Sequence, residues 1–234
     1  MHSIKKTLCL LFALSLFSCA SKEELQGATE IANLLGAENV TITKGFESST
    51  DEESIDYIGI EIINPHALID SHLTPLAVAN LSALSLYKKL TAETMKEKNA
   101  IKVTIKVSNT NGEQEFTKVV LFTELKEGVR AIKVIEEFSQ YLADGKYDTA
   151  YEMFGREVTE TQAKDTTLQL MQRVATVEGK ISKTQVSNFG FSTVEHDGKK
   201  IQLMAVEGYY EKSKFIHRFT YYVSVEDKIV GFNF

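Results

Sequence analysis

Phe138-Ser139-Gln140-Tyr141-Leu142-Ala143-Asp144-Gly145-Lys146-Tyr147-Asp148-Thr149-Ala150-Tyr151-Glu152-Met153-Phe154 is the stretch on which the fold turns. Phe138 and Leu142 complete an apolar stripe begun by Val129, Ile132 and Ile135, and Asp144-Gly145 stops that helix. Tyr147, Ala150, Tyr151 and Phe154 then repeat the i, i+3, i+4, i+7 spacing on a second, short helix. Thr159 and Gln162 have the spacing of a capping box, which predicts a third helix carrying Leu168, Met171 and Val174. From Lys183 the apolar period falls to two, predicting strands over 186–194, 201–210, 215–225 and 229–234.

Three helices followed by a long-stranded antiparallel sheet resemble the nuclear transport factor 2-like superfamily. The run quoted above carries the resemblance, together with the closing Arg218-Phe219-Thr220-Tyr221-Tyr222 and Ile229-Val230-Gly231-Phe232-Asn233-Phe234. Similar phrases recur in small bacterial lipoproteins. The resemblance covers 128–234 and implies helices packed on a curved sheet that leaves a pocket at the open end of a cone. Some members of the superfamily use that pocket for catalysis and many only for binding, so the resemblance speaks to fold more than to activity.

Upstream, 24–36 is predicted as a short helix closed by Gly36, followed by strands over 39–46 and 55–63. The polar loop between them, 48–54, is acidic. Thr74-Pro75 opens a long helix, because proline is tolerated in the first turn where its missing N–H has no partner. Leu76, Val78, Ala79, Leu81, Leu84 and Leu86 make this helix apolar on more than one side, which predicts burial against a sheet and a neighbour together; its end is expected near Lys98-Asn99. Ile101, Val103, Ile105 and Val107 alternate with polar residues, and Asn111-Gly112 signals a hairpin to a strand over 116–122.

The expected fold class is α+β in two domains: an N-terminal layer of helix, two strands, helix, two strands over 27–127, and the three-helix-plus-sheet domain over 128–234. The boundary at Lys126-Glu127-Gly128 coincides with a change of charge. Residues 19–127 hold ten lysines, no arginine and 17 acids, whereas 128–234 hold 14 basic and 15 acidic residues.

Residues 1–18 read as a signal peptide: Lys5 and Lys6 precede a ten-residue apolar run, too short for a membrane-spanning helix of ~20 residues. Leu16-Phe17-Ser18-Cys19 resembles the lipobox of bacterial lipoproteins, with Cys19 as the acylated first residue of the mature chain. Ala20-Ser21-Lys22-Glu23-Glu24 is similar to the tether of surface lipoproteins of the Bacteroidota group, so 19–26 is expected to be a lipidated tether at the outer membrane, surface-exposed or on the periplasmic side. Cleavage also removes Cys9, so a mature chain with Cys19 acylated has no thiol for a disulfide. The net charge of −6 argues against a nucleic-acid partner.

A hairpin tip at Lys212-Ser213 pairs Glu207 with Arg218, Val206 with Phe219 and Met204 with Tyr221. One face then carries Met204, Val206, Tyr210, Phe215, His217, Phe219, Tyr221 and Val223, and is expected to face inward. The other carries Glu207, Tyr209, Arg218, Thr220 and Tyr222. Candidate pocket-lining residues are Tyr151, Tyr210, His217, Phe219 and Tyr221, with His217 either a base or a hydrogen-bonded core histidine. His66 and His72, with Asp70 between them, lack a further spaced ligand, so no metal is assigned, nor any cofactor or catalytic residue. The leading expectation is a non-catalytic envelope lipoprotein, anchored through Cys19, that binds a small molecule or an envelope protein through the C-terminal cone-shaped domain. The alternatives are a small isomerase, dehydratase or hydrolase using His217, and an assembly subunit or homodimer docking through Tyr209, Thr220 and Tyr222 on the outward sheet face.

Overall fold

The computed structural model describes residues 20–48, 54–69, 73–109, 112–177, 179–196, 199–212 and 216–233. The signal segment, Cys19, Asp70, His72 and Phe215 lie outside them, as does most of the acidic 48–54 loop. The chain is α+β, with two four-stranded sheets and eight helices among the described residues.

Helix α1 (Lys22–Leu35) is fixed at both ends by its own sequence. Ser21 Oγ accepts from Glu24 N while Glu24 Oε2 accepts from Ser21 N, and Gly36 closes the helix in the left-handed region at φ 59°. The outer part of the expected 19–26 tether is therefore the first turn of a packed helix. Ile31 and Leu35 seat α1 on the sheet formed by β1 (Asn39–Glu47), β2 (Ile55–Ile63), β3 (Ala100–Asn109) and β4 (Gly112–Leu121). Here β1–β2 and β3–β4 are antiparallel and the central β2–β3 pair is parallel.

A parallel pair needs a crossover. After the short α2 (His66–Ile69), the crossover contains α3 (Pro75–Tyr87), with Thr74 as N-cap accepting from Ala77 N. Ile58, Ile60 and Ile62 lie beside Ile101, Val103 and Ile105 to form the apolar wall it covers. Helix α3 ends at Tyr87, earlier than expected. Leu90 turns back into the core and only the short α4 (Thr94–Glu97) follows.

Helix α5 (Phe122–Ala143) starts directly after β4, ahead of the expected change at 126–128. No side chain caps it; instead Phe122 N donates to Asn99 O at 2.8 Å. After α6 (Tyr147–Tyr151), the Thr159–Gln162 box does not form. Thr159 ends the short α7 (Arg156–Thr159), and α8 (Lys164–Thr176) begins at Ala163 without a side-chain cap. At its other end the buried Lys212 Nζ donates to Val174 O and Val177 O, placing a cation on orphan carbonyls where the helix dipole favours it.

The second sheet is antiparallel throughout, in the order β5 (Lys183–His196), β6 (Lys199–Glu211), β7 (Ile216–Val223), β8 (Ile229–Asn233). Helix α5 packs on β5 and β6, and α3 contacts both β3 and β5, so side chains from both sheets share one core. Gly128 permits this closeness, since a Cβ there would lie 2.6 Å from the Phe189 ring.

Candidate functional site

The second sheet separates two environments. On its helix-covered face, Met204, Val206, Tyr210, Phe219, Tyr221 and Val223 are buried. The β6–β7 register pairs Tyr209 with Arg218, Glu207 with Thr220, Val206 with Tyr221 and Met204 with Val223. This is two residues from the expected register, so Glu207 is diagonal to Arg218 rather than opposite it. An even shift leaves every side chain on its face, which is why the inward and outward sets survive.

Aromatic rings fill the inward face. Phe138 meets Tyr221 edge-on at 5.3 Å and Phe154 at 5.5 Å, and Phe219 lies 4.7 Å from Tyr210 and 5.0 Å from Tyr221. Gly208 makes room for Phe219, whose Cζ would be 2.6 Å from an added Cβ. The Tyr210 and Tyr221 hydroxyls are 2.8 Å apart, and Ser139 Oγ is 3.3 Å from the Tyr210 hydroxyl. Burial pushes the Tyr210 phenol up to about 12 and raises that of Tyr221 well above its ordinary value, so neither is a base near neutrality.

Of the other sequence-derived candidates, His217 is half-buried and pairs in register with Tyr210. Tyr151 is half-buried on α6, with Lys164 Nζ 5.3 Å from its ring centroid and Phe154 beside it at 6.2 Å. None of the characterised cavities among the described residues is lined by Tyr151, Tyr210, His217, Phe219 or Tyr221. His66 opens α2; Asp70 and His72 lie outside the described residues, among which no metal-ligand cluster is present.

Two cavities lie on the opposite face, between α3 and the strands. The first, about 280 Å³, is bounded by Thr74 and Ala77 of α3 and by Asn188, Glu207, Tyr209, Ile216 and Arg218 of the sheet. The second, about 370 Å³, shares Asn188 and Glu207 with it and continues past Asn80, Lys118 and Glu124 to Thr220 and Tyr222. Its lining includes the small residues Gly190 and Ala205, which are register partners. A bulge between Val186 and Asn188 interrupts β5 beside the first cavity and makes Ser187 the extra residue.

A polar chain crosses this region. Lys118 Nζ donates to Asn80 Oδ1 at 2.7 Å and lies 3.3 Å from Glu124 Oε1. Asn80 Nδ2 donates to Asn188 Oδ1 at 2.9 Å and to Phe189 O at 2.6 Å, and Asn188 Nδ2 donates to Glu207 Oε2 at 3.3 Å. Asn80 is 1% exposed, so this network satisfies a polar side chain that would otherwise be costly to bury. Arg218 and Glu207 line the first cavity without forming an ion pair with each other among the described residues.

The face therefore places two cations, Arg218 and Lys118, two carboxylates, Glu207 and Glu124, the amides of Asn80 and Asn188 and the half-buried Tyr209 and Tyr222 around two small openings. Such groups can hydrogen-bond and pair with charge, and the network that links them is built from amides, a lysine and carboxylates. Sequence reasoning identified Glu207, Tyr209 and Arg218 as outward-facing but missed Asn80 and Asn188. The available signal was one amide in the helical run Leu76 to Leu86, whose only other polar side chains are Ser82 and Ser85. Comparison of the chain with protein families, with curated proteins and with solved structures returned no match.

Proposed function

We propose that this chain is a bacterial envelope lipoprotein, acylated at Cys19 and held at the outer membrane, which acts by non-covalent binding. In this reading 128–234 is a nuclear transport factor 2-like domain joined to an α+β module over 27–127, and the binding surface is the outer face of its sheet. A small molecule or an envelope protein is the occupant. The observation that carries the reading is the contrast between an inner face filled by Phe138, Tyr210, Phe219 and Tyr221 and an outer face with two cavities around Arg218, Glu207 and Asn188.

The lipobox and the ten-residue apolar segment support the anchor, and no described helix is long and apolar enough to cross a membrane. Screening the mature protein with small zwitterionic fragments by backbone amide NMR tests the binding surface. Shifts clustering on Tyr209, Arg218 and Thr220 are expected and should weaken in Arg218→Ala. Shifts clustering on Tyr151 and His217 instead would contradict the assignment and favour an active pocket. Intact mass of the native protein beside Cys19→Ala tests the anchor, with acyl chains expected only on the former.

A further inference from the structure

We infer that the acylated protein is held against the bilayer, rather than hung from a flexible leash, with the end of the first sheet carrying Phe46 turned to zwitterionic headgroups. The inference rests on acylation of Cys19, as proposed above.

Cys19 precedes the N-cap Ser21 by only two residues, so their Cα atoms are at most ~7 Å apart whatever path the chain takes. Ser21 is part of the folded body. Its reciprocal bonds with Glu24 are 3.2 and 2.8 Å, Glu24 is 1% exposed, and its Oε1 lies 3.0 Å from Lys44 Nζ on β1. Farther along, Gly27 lies against α3 so closely that a Cβ would meet Leu86 Cδ1 at 2.6 Å. The first turn of α1 is thus fixed on the core and does not lengthen the tether.

Strand β1 returns toward that first turn, since Lys44 sits beside Glu24. Phe46 follows on the same face as Lys44, ~7 Å farther along the strand, beyond the point where Glu24 covers it. Phe46 is 58% exposed, and Leu25 in the first turn of α1 is 57% exposed. One large exposed apolar side chain thus lies on the first turn of α1 and another on the strand end beyond Lys44, and a bilayer interface is the surface an acylated Cys19 would bring within reach of them. Glu47, next to Phe46, pairs with Lys102, and Asp56, the register partner of Phe46, lies 3.4 Å from Lys98 Nζ, so the charges at this end balance one another, which suits zwitterionic headgroups.

The test uses the full acylated chain in phosphatidylcholine vesicles containing acyl-brominated lipid, with a fluorophore on a single cysteine at Leu25→Cys, Phe46→Cys or Ile216→Cys. Ile216, 66% exposed on the second sheet, is the control. Quenching at 25 and 46 is expected to exceed that at 216 by about two-fold or more, because interfacial groups sit within ~10 Å of the acyl boundary. It should fall to the control level when a long Gly-Ser segment is inserted between Ala20 and Ser21. Equal, weak quenching at all three sites in a protein whose intact mass includes acyl chains overturns the inference and leaves the anchor intact. A mass without acyl chains removes the anchor and the inference together.

Discussion

The two faces of the second sheet are made from alternate residues of the same strands, yet one is closed and the other open. On the inner face Tyr210, Phe219 and Tyr221 meet Phe138 from α5, and the two phenols satisfy each other. On the outer face Glu207, Arg218 and Asn188 line cavities against α3, and Asn80 fastens that helix to β5 through Phe189 O. Aromatic area on one face supplies stability, and in the proposed reading the polar face carries recognition.

The sharpest way to break this contrast is to empty the inner face. Phe138→Ala is expected to destabilise the protein by ~3–5 kcal/mol in urea unfolding, because the ring is fully buried against Phe154 and Tyr221. Asn80→Ala should cost ~2–3 kcal/mol by the same measurement, since it leaves Phe189 O and Lys118 Nζ without the amide. A loss near zero would show that the network is not what joins α3 to β5.

Alkaline pH probes the buried phenols. Their folded-state values lie above the ordinary value of 10, so their contribution is full below pH 10 and is lost as pH rises from there toward about 12. The expected slope is up to ~1.4 kcal/mol per pH unit for each tyrosine, read as the difference between native protein and Tyr210→Phe with Tyr221→Phe. Arg218→Ala comes last. Its stability effect should stay within ~0.5 kcal/mol while fragment binding weakens, as expected of an exposed side chain used for recognition.

Much of the architecture was legible because apolar period is local. Strand β2 spans 55–63 as the alternation predicts, and Gly36 ends α1 where its backbone freedom is needed. What escaped depends on distant partners. The parallel β2–β3 pairing is not encoded in either strand's period, and the start of α5 is set by Asn99 O rather than by a local cap. Thr159-x-x-Gln162 matched a capping box in sequence, yet Val158 N bonds Gly155 O and the chain turns one short helix earlier. The outer face was legible as a face, but its cavities were not. They require the β5 bulge and α3 lying across it, and the amide of Asn80 acquires its meaning from Asn188, 108 positions away.

Thiol reactivity tests the central contrast most directly. In the mature chain carrying Cys19→Ala, single cysteines at Val206→Cys on the inner face and Thr220→Cys on the outer face would be labelled under native conditions. Thr220→Cys is predicted to react promptly and Val206→Cys only as fast as the protein unfolds. Comparable prompt labelling at both would mean that the inner face is open to solvent, and would return the search for function to that face and His217.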